Sequence, residues 1–146
     1  MKSLAREYVD VFEDIPTAVL DTLGSLIVSP AVAVSCETPL SEVSRMLLQH
    51  RVPAIAVVEG DHLCGLVTRT DVLSARDESC STAADAMSHY VFVLPARSSI
   101  EKAAALMAWE GVGQICVTTD DGILLGVVSA LDVARYYAVE SGYLVK

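Results

Sequence analysis

The feature that most constrains this chain is a seven-residue pattern that occurs twice, as GLVTRTD at residues 65–71 and as GVVSALD at residues 126–132. Each copy contains a glycine, two aliphatic residues, a hydroxyl residue, two variable positions and an aspartate. The similarity extends upstream, since residues 27–58 align with residues 87–118 at a constant offset of 60. A repeat of this size is a supersecondary unit that cannot bury its apolar face alone. We therefore expect the two halves to pack on each other.

The order of apolar runs predicts strand, helix, strand, strand and helix in each copy. The runs AVAVS and YVFVL predict the first strands, and the segments PAIAVVEGDHLCGLV and QICVTTDDGILLGVV each predict a hairpin around a short polar turn. The intervening helix has apolar residues at helical spacing, and in the second copy we interpret Ser98 and Glu101 as its capping box. The last helices are expected from about Thr70 to Ala75 and from about Leu131 to Val139.

The repeat divides the chain into three parts. We assign an N-terminal helix and linker to residues 1–26, the first repeat to residues 27–80 and the second repeat to residues 81–146. Between residues 4 and 12, apolar residues recur at helical spacing with acidic residues elsewhere. This pattern favours an accessory helix that packs on the repeats, and a helix that binds a partner protein is the alternative.

Charge and hydropathy argue against several classes of protein. The net charge of −9 argues against nucleic-acid binding, which needs a basic surface. Hydrophobic residues make up 53% of the chain, which is enough for a substantial core. The apolar stretch TAVLDTLGSLIVSPAVAV is interrupted by Asp21, Gly24 and Pro30, so we expect no membrane-spanning helix. The segment MKSLAREYVDVFED turns acidic where a signal peptide would be apolar, and we expect a cytoplasmic protein.

The sequence contains no pattern typical of an enzyme or a metal site. A phosphate-binding GxxxxGK[ST] loop, a GxSxG elbow and an HExxH helix are all missing from it. The cysteines and histidines are scattered over separate predicted elements, at Cys36, Cys64, Cys80, Cys116, His50, His62 and His89. Their spacing fits neither a zinc site nor a compact disulfide framework. We predict reduced thiols, no metal, no required cofactor and no enzymatic activity.

The residues of the repeated motif support two interpretations. A hydroxyl residue three positions before an aspartate is typical of a capped helix start, so Thr68 with Asp71, like Ser129 with Asp132, can satisfy free backbone N–H groups. The same helix start offers unpaired N–H groups and a partial positive charge to an anion. A carboxylate can also accept hydrogen bonds from the two hydroxyls of a ribose. At the mouth of an apolar cleft, this combination suits a nucleoside phosphate.

The chain resembles a tandem pair of CBS (cystathionine β-synthase) domains, often called a Bateman module. The resemblance covers residues 27–140, and its most specific marks are the doubled motif, the element order and the repeat spacing. It implies an α/β (α+β) fold of two β-α-β-β-α repeats packed with pseudo-two-fold symmetry, plus the N-terminal helix. It also implies a regulatory module that senses adenine nucleotides or a related adenosyl ligand in the cleft between the repeats.

The resemblance further implies roles for individual residues. Asp71 and Asp132 would hold the ribose of the ligand. Thr68 and Ser129 would lie near phosphate. The base would enter an apolar cleft lined by Ser29, Ala31, Val52, Pro53, Ala54, His89, Val91, Val112 and Gln114. The implied ligand is AMP, ADP, ATP, S-adenosylmethionine or NAD, and the implied partners are a second copy in a disc-like homodimer and a regulated protein.

The two copies of the motif differ in nearby charge. Arg69, His50 and Arg51 accompany the first motif, whereas the matching positions of the second copy hold alanine, glutamate and glycine. These groups favour the first motif as the phosphate site, and we expect Asp71→Ala to weaken nucleotide binding more than Asp132→Ala. Ordinary solvated surface is the alternative interpretation of the basic residues.

A rival hypothesis from another class is an interaction module that binds no ligand. In that case both motifs act as helix caps, and the function lies in dimerisation and in the acidic N-terminal helix. A regulatory subunit of an enzyme whose catalytic domain belongs to another chain is compatible with either hypothesis.

Overall fold

The computed structural model describes residues 21–27, 31–75 and 82–144. The predicted N-terminal helix, the site residue Ser29 and the cysteine Cys80 lie outside these ranges. Within them, no helix has the length and apolar composition needed to cross a bilayer. The same residues contain no group of three or more histidine, cysteine, aspartate or glutamate side chains arranged to hold a metal ion.

The two repeats contain the same elements in the same order. The first repeat consists of β1 (Ala33–Ser35), α1 (Leu40–His50), β2 (Ala54–Glu59), β3 (His62–Thr68) and α2 (Arg69–Ser74). A 3₁₀ turn precedes it at Leu23–Leu26, and the short helix α3 (Ala83–Ala86) precedes the second repeat. The second repeat consists of β4 (Val93–Pro95), α4 (Ile100–Glu110), β5 (Gln114–Thr118), β6 (Leu124–Ser129) and α5 (Ala130–Glu140). The predicted α/β (α+β) class and β-α-β-β-α order are confirmed.

Each repeat forms a three-stranded sheet of the same topology. β1 pairs with β2 in parallel and β2 with β3 antiparallel, and β4, β5 and β6 repeat this arrangement. The register places Ala54 opposite Thr68 and Gln114 opposite Ser129. The hydroxyl residue of each motif therefore lies beside the first residue of its central strand, at the point where a helix begins.

The capping box predicted at the start of α4 is wrong by one residue. Ser99 is the N-cap, and its Oγ accepts a hydrogen bond from the Lys102 N–H at 3.0 Å. Ser98 stays in the preceding connection because its carbonyl accepts a hydrogen bond from the Leu23 N–H at 2.8 Å. Glu101 therefore falls one position too early to close the box. A contact from a distant segment sets the start of this helix.

The short helical segments are exchanged between the repeats. Leu23, which precedes the first repeat, is buried in the core of the second with Leu94 and Ile115. Ala83, which precedes the second repeat, is buried in the core of the first with Val43 and other side chains. The Ala83 N–H also donates to the Thr38 carbonyl at 2.8 Å. Each repeat therefore completes its core with the short helical segment that directly precedes the other repeat in the chain.

Small side chains allow the two sheets to approach closely. Ala54, Ala56 and Leu66 of the first repeat and Cys116 of the second form one buried cluster. Burial raises the pKa of the Cys116 thiol to about 12, so this group stays neutral at physiological pH. Cys36 and Cys64 are also free thiols, and both are half-buried. The described cysteines thus carry no disulfide.

The motif glycines are required by the exchanged segments. A Cβ added at Gly65 would lie 2.7 Å from both the Met87 Sδ and the Ser88 carbonyl oxygen. At Gly126, the added atom would lie 3.0–3.1 Å from the side chain of Ile27. Both contacts come from the residues that follow the short helical segments. The crossing therefore requires a glycine at position 65, and it favours one at position 126.

We expect Gly65→Ala to lower the free energy of unfolding by about 2 kcal/mol, because the new methyl group meets a backbone carbonyl held by its own hydrogen bonds. Gly126→Ala should cost less, since the Ile27 side chain can rotate away. Urea denaturation measures both changes. Gly113→Ala is the matched control, because a Cβ there meets nothing within 4 Å. Equal losses at Gly65 and Gly113 would contradict this account.

Candidate functional site

Both motifs form complete capping boxes. The Thr68 N–H donates to Asp71 Oδ2 at 2.8 Å, and the Asp71 N–H donates to Thr68 Oγ1 at 3.1 Å. In the second motif the Ser129 N–H donates to Asp132 Oδ2 at 2.8 Å, and the Asp132 N–H donates to Ser129 Oγ at 3.1 Å. The Ser129 hydroxyl adds a third hydrogen bond to Asp132 Oδ2 at 2.9 Å. The predicted capping role is confirmed for both motifs.

A capping box alone does not identify a ligand site in this protein. Thr82 and Asp85 form the same pair of hydrogen bonds, at 3.1 and 3.4 Å, at the start of the four-residue helix α3. That box lies outside the repeated motif. A binding role for either motif therefore depends on what surrounds the cap.

Ser129 and Asp132 line a cavity of about 330 Å³ between the repeats. The first wall belongs to the second motif and α5, and it also contains Leu131 and Arg135. The facing wall is the segment of the first repeat that leads into β2, namely Arg51, Val52, Pro53 and Ala54. Apolar side chains close the remaining side, namely Leu26, Ile27, Ala31, Val32 and Val127. The volume falls within the range of small-molecule sites.

The Asp132 carboxylate can support the fold and bind a ligand at once. Its Oδ2 atom accepts every hydrogen bond that the structure gives this carboxylate from described residues. The second oxygen, Oδ1, accepts no hydrogen bond from the described residues, and Asp132 lines the cavity. A carboxylate has about four acceptor sites, so the cap and a pair of ligand hydroxyls do not compete.

The start of α5 offers less to an anion than the sequence suggests. A helix begins with four N–H groups that lack helical partners. Here Ser129 and Asp132 use theirs within the capping box, and the Ala130 N–H donates to the Gly113 carbonyl at 2.8 Å. Among the described residues, the Leu131 N–H is the one such group with no partner. An anion at this site therefore depends mainly on side-chain cations.

Two arginines supply that positive charge. Arg51 and Arg135 both line the cavity and are exposed, and neither forms an ion pair with a carboxylate in the described ranges. Arg51 has a left-handed backbone, with φ 54° and ψ 38° at the C-cap of α1, and it is the one non-glycine residue with a positive φ in the described part of the chain. The second repeat has Gly111 at the corresponding cap, with φ 68°. An arginine in this conformation costs about 1 kcal/mol, a strain that glycine avoids.

The structure divides the predicted site residues into two groups. The cavity contains Ala31, Arg51, Val52, Pro53, Ala54, Ser129 and Asp132. The other described residues of the predicted site, which do not line it, are His50, Thr68, Arg69, Asp71, His89, Val91, Val112 and Gln114. The assignment of Arg51 to the first motif is therefore wrong, because the crossing of the repeats places its side chain against the second motif. Sequence reasoning also missed Arg135, although its position three residues after Asp132 places it on the same side of the helix.

The repeat relation locates a corresponding region around Thr68 and Asp71. Gly111 stands there in place of Arg51, and Ser74 in place of Arg135. Gln114 replaces Ala54 at the start of the central strand. The first motif thus lacks both cavity arginines and has a larger side chain where the cavity has an alanine. Arg69 remains near it, exposed at the first residue of α2.

The family model of the CBS domain matches residues 23–78 and 83–139. This chain belongs to the CBS-domain family. Each match begins at one of the exchanged helical segments, Leu23–Leu26 or Ala83–Ala86. The exchanged segments are therefore part of the CBS units themselves.

Two curated relatives are inosine-5′-monophosphate dehydrogenases. The chain is 29% identical over 109 residues to that of Korarchaeum cryptofilum and 27% identical over 110 residues to that of Thermoplasma acidophilum. Each match covers 75% of this chain but 23% and 22%, respectively, of the relative. The chain thus spans less than a quarter of the length of these enzymes.

Solved CBS domain pairs share the fold at low sequence identity. The pair of protein MJ0100, in complex with 5′-methylthioadenosine and S-adenosyl-L-methionine, has a TM-score of 0.77 and 17% identity over 83% of this chain and 98% of that chain. Protein PAE2072 from Pyrobaculum aerophilum, complexed with AMP, has a TM-score of 0.73 and 20% identity over 84% of this chain and 99% of that chain. These CBS pairs show the same fold with adenosyl molecules bound.

We expect Arg51→Gly to raise the free energy of unfolding by about 0.5–1 kcal/mol, because glycine adopts the left-handed conformation without steric cost. Chemical denaturation of the unliganded protein measures this change. The matched control is Gly111→Ala, which places a Cβ at the corresponding cap with no atom within 4 Å and should lower stability by about 1 kcal/mol. A destabilised Arg51→Gly protein would show that this arginine has a structural role.

Proposed function

We propose that this CBS pair is a regulatory module that binds an adenosyl ligand in the cavity between its repeats. The observation that carries the proposal is the position of Asp132. It stands at the edge of a partly apolar cavity of about 330 Å³, beside two arginines without described ion-pair partners. This combination of an acceptor, cations and apolar walls matches a ligand with hydroxyls, an anionic group and a flat base.

The proposed pose assigns each part of the ligand to one wall. The ribose hydroxyls donate to Asp132 Oδ1, which keeps the cap on Oδ2 intact. The base lies against the apolar side chains of Ile27, Val32 and Val52. An anionic group lies between Arg51 and Arg135, where two guanidinium groups can donate charge-assisted hydrogen bonds.

The related structures support this ligand class. CBS pairs of the same fold were solved with AMP and with S-adenosylmethionine and 5′-methylthioadenosine. These molecules share the adenosine group and differ in the tail at the 5′ position. We therefore propose AMP, ADP, ATP or S-adenosylmethionine as the ligand of this chain, which needs no further cofactor.

We also propose that ligand binding is read out through a change in how the repeats pack. The cavity draws walls from both repeats and from the exchanged segment at Leu26 and Ile27, so a ligand contacts all three. It can shift their arrangement only if it binds one arrangement more tightly than another. In this proposal the module forms a homodimer in the cytoplasm, and a regulated protein senses the change in its arrangement. The module itself catalyses no reaction. Trp109, which is 46% exposed on α4, is a candidate dimer contact.

A second candidate is a dimerisation module that binds no ligand. The complete capping boxes favour it, because Thr68–Asp71 and Ser129–Asp132 satisfy their hydrogen bonds without a ligand. Exposed apolar side chains such as Leu48 and Tyr143 provide contact surface for it. The two candidates differ in whether any adenosyl compound stabilises the protein.

Thermal unfolding with AMP and the other candidates, each near 1 mM, distinguishes these two functions. A ligand present at about 100 times its Kd adds about 2.7 kcal/mol, which raises the Tm of a chain of this size by about 5–11 °C. We expect a shift of this order with at least one adenosyl compound. No shift with any of them would reject the sensing function and leave the dimerisation module.

We expect Asp132→Ala to weaken binding of that compound by at least tenfold, because hydrogen bonds to a charged group contribute about 1.5–3 kcal/mol. This reverses the order expected from the sequence, since Asp71→Ala should have the smaller effect. Calorimetric titration of both variants gives the ranking. Asp85→Ala is the matched control, since it removes a cap of the same kind outside the cavity. Each variant should lose about 1 kcal/mol of stability, so a loss of affinity confined to Asp132→Ala reports the ligand contact.

A further inference from the structure

A second cavity adjoins the first along α5. It has a volume of about 520 Å³ and shares Leu26, Asp132 and Arg135 with the first cavity. Its further lining includes Asp21, Tyr136 and Glu140. A ligand held by Asp132 can therefore extend past Arg135 into this space. The second cavity would then hold the part of the ligand that lies beyond the group bound by Arg135.

The second cavity follows one face of α5. Asp132, Tyr136 and Glu140 are spaced four residues apart, and Arg135 lies beside them on the same side. From Asp132 to Glu140 this face rises about 12 Å along the helix axis. A tail that enters at the amino end of α5 therefore runs towards the carboxyl end. The helix dipole is positive at the amino end of α5 and negative at its carboxyl end. The affinity for a charged tail therefore depends on where along the tail each charge lies.

The side chains reinforce this change of polarity. Arg135 is the sixth of the eleven residues of α5, whereas Glu140 is the last, and the last turn of this helix contains no basic residue. The Tyr136 hydroxyl donates to Asp21 Oδ2 at 2.6 Å and so holds that carboxylate at the cavity. A tyrosine hydroxyl is protonated at neutral pH, and this hydrogen bond to Asp21 raises the pKa of Tyr136 further. The far part of the cavity is acidic, and Arg135 separates it from the ribose position.

We propose that this second cavity binds the 5′ tail of the adenosyl ligand and selects an amino-acid tail over a polyphosphate. The proposal rests on the proposed adenosyl function of the first cavity. Arg135 pairs with a single carboxylate of the tail, and Asp21 and Glu140 pair with an ammonium group. The β- and γ-phosphates of ATP would instead meet two carboxylates at the negative end of the helix dipole.

Calorimetric titration with four adenosyl compounds tests the selection. S-adenosylhomocysteine and 5′-methylthioadenosine are both uncharged at sulfur, so they differ in the amino-acid tail alone. We expect the wild-type protein to bind S-adenosylhomocysteine about tenfold more tightly than 5′-methylthioadenosine, and AMP more tightly than ATP. Equal affinities for the two thioethers, or ATP as the tightest ligand, would overturn the tail proposal while the adenosyl function stands. Failure of all four compounds to bind would reject both.

The variant Glu140→Gln assigns the effect to the second cavity. Removing one carboxylate should weaken the binding of S-adenosylhomocysteine and strengthen the binding of ATP, by about two- to fivefold each. This is the range expected for an exposed charge pair. Affinity for 5′-methylthioadenosine, which lacks the tail, serves as the internal reference. Glu37→Gln removes the same charge from an exposed position outside both cavities. It should leave the affinities for S-adenosylhomocysteine and ATP, each relative to that for 5′-methylthioadenosine, unchanged. The assignment would be contradicted if Glu140→Gln left the affinities for S-adenosylhomocysteine and ATP, each relative to 5′-methylthioadenosine, at their wild-type values.

Discussion

The exchange of two short helical segments between the repeats is the contact on which the rest of this structure depends. Leu23 and Ala83 are fully buried, each in the core of the repeat that it does not directly precede in the chain. Complete burial of a leucine contributes about 1.5–3 kcal/mol, so separating the repeats would leave a core open. The same crossing leaves no room for a Cβ at Gly65, little room for one at Gly126, and brings Leu26 and Ile27 to the cavity wall. The cavity therefore has its full lining only when the two repeats are packed together.

One carboxylate connects the stability of the second motif with its proposed chemistry. Asp132 uses Oδ2 to cap α5, which fixes the side chain in one orientation at the cavity. A ligand group that binds Oδ1 therefore meets an acceptor whose rotamer is already set, and the entropy of ordering it was lost on folding. Asp85 has the same cap without this cavity. The capping hydrogen bonds are thus common to all these boxes, while the position of Asp132 within the fold is the basis of the chemistry proposed for it.

Small sequence differences make two related halves unequal. The repeat relation pairs Arg51 with Gly111 and Arg135 with Ser74, so both cations fall on one cavity. Arg51 holds its place in a strained left-handed conformation, where the other repeat has the expected glycine. Such strain is tolerated where the side chain has a role that glycine cannot fill. A doubled motif therefore does not imply two equal surroundings, and these two motifs differ in the positive charge near them.

The repeat, the element order, the buried helix positions and the caps at Thr68 and Ser129 could all be predicted from the amino-acid sequence. These features depend on spacings of two to four residues, which the chain shows directly. The sequence could not show that Ser99 caps α4, that Arg51 faces the second motif, or that Arg135 lines the cavity. Each of these depends on which segment crosses to which repeat, since Leu23 holds Ser98 out of the helix and Ile27 closes the cavity beside Gly126. Contacts between distant segments are set by packing of the whole core, which short spacings along the chain do not show.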